Sequence, residues 1–150
     1  MNSVRRGFML PTAGAVATAA VLTLTAAPAT AANGGKFQTI YSLTNGLCVA
    51  VVESSVHGPG YPSSASFTVS TNMTGFGSCS LDVTLHWRNV DTGESGTKTA
   101  KATGPGYWIS DPKTTIFQPG FGKFVGTVTV NALSVGSSGQ VEFTVEPYQG

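Results

Sequence analysis

Charge is what this sequence has least of. Of its 150 residues only eight are Lys or Arg and seven are Asp or Glu, a formal net charge of +1. The few charges are scattered and of both signs, so there is no basic stripe for a nucleic-acid backbone or an anionic membrane. Histidine and cysteine are equally scarce, with two of each. His57, His86, Cys48 and Cys79 stand apart without metal-ligand spacing, and neither a metal nor another cofactor is expected. The Gly-x-Ser-x-Gly signature of a hydrolase nucleophile is missing as well. Beyond roughly the first thirty residues nothing sustains a helical apolar stripe, which argues against a helical fold.

What is present begins with an export leader. Met1 to Arg6 is a short basic opening, and Gly7 to Thr25 is an uncharged run dominated by Ala, Val, Leu and Thr. Pro28-Ala29-Thr30-Ala31-Ala32 then offers small residues for a signal peptidase. This layout predicts a signal peptide over residues 1–31, cleaved after Ala31 or, next best, after Ala32. The run is too mildly hydrophobic to suit a retained anchor. Arg5-Arg6-Gly7-Phe8-Met9 is similar to the twin-arginine export motif, although Val4 and Leu10 replace its usual flanks. The twin-arginine and general routes both stay open, and both lead out of the cytoplasm. No lipid anchor or wall-sorting motif is visible. Residues 32–150 are therefore expected to be secreted, extracellular and without a stable membrane anchor.

About 120 exported residues suffice for one domain. Their Gly, Ser, Thr and Val content fits either disorder or an all-β fold, and periodicity decides for the second. Cys79, Leu81, Val83, Leu85 and Trp87 alternate with Ser80, Asp82, Thr84, His86 and Arg88. Val141, Phe143 and Val145 do the same, as do Phe67 to Ser70 and Gly126 to Asn131; each reads as a strand with one wet face. Leu47 to Val52 is continuously apolar, which suits a strand covered on both faces. Phe37 to Leu43, Ser95 to Thr103, Tyr107 to Ser110 and Thr114 to Gln118 are further strand candidates. Turns are expected at Asn45-Gly46, Gly58-Pro59-Gly60, Gly104-Pro105-Gly106, Pro119-Gly120 and Ser137-Ser138-Gly139, and Asn33-Gly34-Gly35 reads as a frayed start. The fold expected is all-β: a single immunoglobulin-like antiparallel β-sandwich of about eight or nine strands, with a barrel as the alternative.

Two cysteines in an exported chain make one disulfide, Cys48 to Cys79, the economical reading. Trp87 follows both cysteines instead of lying between them, so the antibody disulfide pattern is absent.

Asp91-Thr92-Gly93 has the tripeptide of an aspartic protease, and Glu94-Ser95-Gly96 echoes the nucleophile loop of trypsin-like enzymes. Both echoes fail on their surroundings. Arg88-Asn89-Val90 is too polar to bury a carboxylate pair, and Glu94 would crowd it. Thr97 stands where a second Gly shapes an oxyanion loop, and that fold needs two barrels. Between two strands the stretch is a hairpin turn, with Asp91 bonding the following amides and Gly93 taking positive φ. Asn72-Met73-Thr74 matches a glycosylation acceptor, and Gly120-Phe121-Gly122-Lys123 lacks the spacing of a phosphate loop.

His57-Gly58-Pro59-Gly60-Tyr61-Pro62 and Gly104-Pro105-Gly106-Tyr107-Trp108 place three aromatics at loop positions. Strand alternation turns Tyr107 and Trp108 to opposite sides. Trp108, Tyr107 and Tyr61 are the candidate ligand contacts if outward, for a sugar ring or a protein surface. An inward Trp108 would instead cap the core.

Trp87 to Gly96, Thr103-Gly104-Pro105-Gly106, and Pro119-Gly120-Phe121-Gly122 before an alternating Val/Thr strand carry a resemblance. Over roughly residues 79–135 the chain resembles small exported actinobacterial proteins of unknown function with an immunoglobulin-like β-sandwich. The resemblance implies a fold and an export route and transfers no catalytic residue. The expected function is a secreted, non-catalytic binding or cell-envelope-associated module, with carbohydrate or protein at the envelope as partner. The alternatives are a small secreted hydrolase using Asp91 and Ser95 with His57 or His86, and a secreted enzyme inhibitor inserting a Gly/Pro loop.

Overall fold

The computed structural model describes Asn33–Gly150; the signal peptide expected over residues 1–31 lies outside the described residues. The described chain is all-β and antiparallel. Its strands are β1 (Gly34–Lys36), β2 (Ile40–Leu43), β3 (Asn45–Tyr61), β4 (Ser64–Asn89), β5 (Ser95–Gly104), β6 (Gly106–Ile109), β7 (Ile116–Phe117), β8 (Gly122–Val130), β9 (Ser134–Val135) and β10 (Val141–Val145). One helical turn, α1 (Pro112–Thr115), precedes β7.

Two long strands organise the sandwich. β3 has 17 residues and β4 has 26, and they pair through a turn at Pro62-Ser63. The first half of β4 lies in one layer, with β3, β2 and β9 beyond one edge and β6 and β7 along the other. Its second half lies in the other layer, between β5 and β8, and β10 follows β8. The crossing falls near Gly75, where the register against β3 slips between Asn45 and Leu47. Gly75 is required there, because a Cβ would collide with the Leu47 carbonyl and the Cys48 Cα. Gly104-Pro105-Gly106 carries β5 into β6 around the same corner. Along one edge the layers are joined: β1 pairs with β3, and Asn33 bridges to Phe143 of β10.

The core fills the space between the layers. Phe67, Val69 and Met73 face inward from the first half of β4, and Leu81, Val83 and Leu85 from the second. An aromatic row runs through it. Trp87 meets Phe124 edge-on at 5.7 Å, Phe124 stacks on Phe143 at 5.2 Å, and Phe143 reaches Phe117 at 6.3 Å. Trp87 has a glycine directly opposite on each neighbouring strand, Gly96 and Gly126, and a Cβ on Gly96 would enter its ring. The expected disulfide is present: Cys48 and Cys79 are joined with their Cα atoms 6.1 Å apart, tying β3 to β4 at the corner.

The strand boundaries depart from the sequence pattern in several places. Phe67–Ser70 and Ser80–Arg88 belong to one strand, continuous through the corner, and the first expected strand is confined to Ile40–Leu43. Gly58-Pro59-Gly60 does not turn the chain. It lies within β3 as an irregularity between His57 and Tyr61, and Gly58 packs against the Thr144 backbone. Asn45-Gly46, by contrast, lies in the connection that reverses β2 into β3, between the paired Leu43 and Val49, as expected, and its residues also open β3. Thr114–Gln118 is not one strand, because Asp111 Oδ1 accepts from the Lys113 amide at 2.8 Å and Pro112 starts a helical turn. Asn33-Gly34-Gly35 is paired, not frayed. Finally, Leu47–Val52 is not covered on both faces: Cys48, Ala50 and Val52 are buried, whereas Leu47, Val49 and Val51 face outward.

Candidate functional site

The stretch that echoes two protease motifs is a turn, built differently from the expectation. Asn89, at the end of β4, is buried. Its Oδ1 accepts from the amides of Asp91 at 2.9 Å and Thr92 at 3.0 Å, and its Nδ2 donates to the Phe121 carbonyl at 3.0 Å. The Gly93 amide closes the turn on the Asn89 carbonyl at 2.9 Å, with Gly93 at φ +77°. Asn89 thus does the work expected of Asp91, whose side chain is exposed. An Asx turn begun at a strand end was the signal available in the sequence.

The residues of a hydrolase come together only in part. His86 and Ser95 line one open hollow of about 360 Å³ on the second layer. The His86 ring, however, bonds through Nε2 with Thr129 Oγ1 at 2.7 Å. Among the described residues no hydrogen bond joins His57 or His86 to Asp91 or Ser95. Asp82 is taken up by Asn131, which donates from Nδ2 at 3.2 Å. Ser95-Gly96-Thr97-Lys98 does match the Ser-x-x-Lys spacing of a hydrolase. On a helix those two side chains would share a face, but β5 is a strand, so residues three apart point to opposite sides. No three of His, Cys, Asp and Glu among the described residues are grouped to hold a metal ion.

The aromatic candidates separate. Tyr107 stands opposite Asn72 and points outward, 70% exposed. Trp108 stands opposite the buried Thr71 and packs half-buried on the core. Tyr61 is exposed and lines an open hollow of about 480 Å³ with Tyr148 and Pro62.

Tyr107 belongs to a larger feature. The outward face of the first layer is apolar across five strands. Val135, Tyr41 and Val51 stand side by side on β9, β2 and β3, followed by Asn72 and Tyr107 on β4 and β6. Leu43 and Val49 form the next register beside Thr74. Leu47 opposes Phe76 beyond them, Ile109 opposes Ser70, and Leu133 shares the side of Val135 two residues along. All ten apolar side chains are exposed, from 39% at Val51 to 83% at Phe76. Two charged residues stand at the margin of this face, Glu53 opposite Ser70 and Lys36 opposite Ser55. The outward face of the second layer is the opposite in character. There Thr84 and Thr99 bond at 2.9 Å, and Asp82 opposes Lys101.

No known protein family, curated protein or solved structure matches the chain.

Proposed function

We propose that the chain is an exported, non-catalytic association module whose working surface is the outward face of the first layer. The ten exposed apolar side chains on that face carry the reading. A soluble monomer rarely exposes a contiguous apolar patch above about 300 to 600 Å² unless something docks there. These ten expose on the order of 1000 Å², taking about 150 to 250 Å² as the burial of one aromatic side chain and less for the others. Pairing of Cys48 with Cys79 fits an oxidising compartment outside the cytoplasm, and among the described residues no helix is long and apolar enough to cross a membrane. The non-catalytic part rests on the engagement of His86 by Thr129 and of Asp82 by Asn131. The two-layer antiparallel architecture and the turn sequences support placing the chain with small exported actinobacterial sandwich proteins of immunoglobulin-like type.

Fractionation of cells that export the protein tests this. The wild type should partition with the envelope and Val49→Lys with the medium, whether the face meets the envelope directly or builds the assembly that does. Equal partition of the two, or turnover of an ester, peptide or glycoside that Ser95→Ala or Asp91→Asn abolishes, would overturn the reading.

A further inference from the structure

The face described above has one occupant that its chemistry fits best. We infer that a second copy of this chain covers it, the two first layers packing face to face about a two-fold axis. The inference rests on the reading of this face as an association surface and names its partner.

Three observations select a second copy. The first is size. A standard interface takes about 800 Å² from each partner, and the exposed apolar surface here is of that order. The second is charge. The margin holds one charge of each sign, Glu53 opposite Ser70 and Lys36 opposite Ser55, so the face has no net charge to steer or match a charged partner. A lipid surface is disfavoured on the same ground, since amphipathic membrane faces are bordered by several Lys and Arg, whereas the single Lys36 here is offset by Glu53. A two-fold interface asks only that a patch complement itself, which an uncharged apolar sheet can do. The third is side-chain type. Seven of the ten exposed apolar residues are aliphatic and three are aromatic. A sugar platform would present coplanar aromatics with polar groups between them. Leu, Val and Ile on a pleated surface instead interdigitate with another such surface at about 10 Å between sheets, the packing inside a β-sandwich.

The ends of the face agree with this geometry. β9 has two residues and β6 has four, so neither edge offers a long open ladder for strand addition. For the first layer, pairing through the face, not through an edge, is what remains for a symmetric contact. Asn72 and Thr74 lie on the face between Val51 and Tyr107 and between Val49 and the edge of β4. Near a two-fold axis they can bond to their own counterparts across the interface.

Sedimentation velocity of the purified exported protein at micromolar concentration tests the pairing. The expected result is twice the mass of one chain. Val49→Lys should restore the mass of one chain while keeping the β-sheet circular-dichroism spectrum. Leu47→Lys, at a side chain 77% exposed, gives the same readout should the first variant not fold. Thr84→Lys, on the outward face of the second layer, should leave the doubled mass unchanged. A wild type with the mass of one chain overturns the pairing, as does a doubled mass that survives both face variants. If the wild type is a single chain and Val49→Lys still shifts it from envelope to medium, the association reading stands with another partner. If that partition does not change either, both fail together.

Discussion

Thr71 and Asn89 show how differently two buried polar side chains can stand. The Thr71 hydroxyl is buried opposite Trp108 and finds no hydrogen-bond partner among the described residues. An unpaired buried hydroxyl costs about 1 to 3 kcal/mol, and valine has the same outline without it. Thr71→Val should therefore raise the unfolding free energy by about 1 kcal/mol, measured from urea denaturation midpoints. A lowered midpoint would show that a water satisfies the hydroxyl. Asn89 is the opposite case, with two side-chain hydrogen bonds made within the turn and a third to the Phe121 carbonyl. Asn89→Ala should cost about 2 to 3 kcal/mol by stranding donors and acceptors that the fold has already partly buried. Asp91→Asn should stay within about 0.5 kcal/mol, as most surface changes do. Equal costs in the same denaturation series would mean that Asp91 shares the work of Asn89. The sequence pointed to a turn here for a sound reason, the Gly at positive φ. It assigned the wrong side chain because Asp and Asn use the same short geometry to bond backbone amides.

Among elements, legibility follows solvent. The second half of β4 and strand β10 each have one wet face, and their alternation placed them almost to the residue, whereas β8 begins four residues before the expected Gly126. β3 carries apolar residues on both sides, and from sequence that pattern cannot distinguish a doubly covered strand from one whose outer face awaits a partner. Glycine and proline misled in the same strand. Gly58-Pro59-Gly60 has the composition of a turn, but Pro59 sits at an irregularity of the pairing, where a missing amide proton is tolerated. The corner of β4 was illegible because two halves of one strand serve two layers. Its disulfide was legible, since two cysteines in a chain read as exported leave few choices. Its 31-residue separation predicts a stabilisation of about 3 to 4 kcal/mol in the chain-entropy model. Reduction should lower the unfolding free energy by that amount, and the untreated, denatured protein should take up no thiol reagent. Two adducts before reduction would contradict the pairing.

At the scale of the molecule, the apolar face was hidden from the sequence because its parts are dispersed. Residues 41–43, 47–51, 76, 107–109 and 133–135 share a surface only once the registers bring five strands together. The closed edge has the same origin and leads to a prediction about export. Asn33 bridges Phe143, its carbonyl accepts from the Gly58 amide at 3.0 Å, and β1 follows at once along β3. The first residues after the expected cleavage point are thus already part of the sandwich, and they join its two layers. Cleavage after Ala31 or Ala32 preserves that edge, whereas cleavage a few residues later would open it. The secreted protein should accordingly have the mass of a chain starting at Ala32 or Asn33. A mature chain made to begin at Phe37 loses the paired residues of β1 and uncovers β10. At about 1 kcal/mol for each backbone hydrogen bond lost, it should be about 2 to 4 kcal/mol less stable than the secreted form. A urea midpoint indistinguishable from that of the secreted form would show that the edge is held by β3 and β10 alone, with β1 a passive cover.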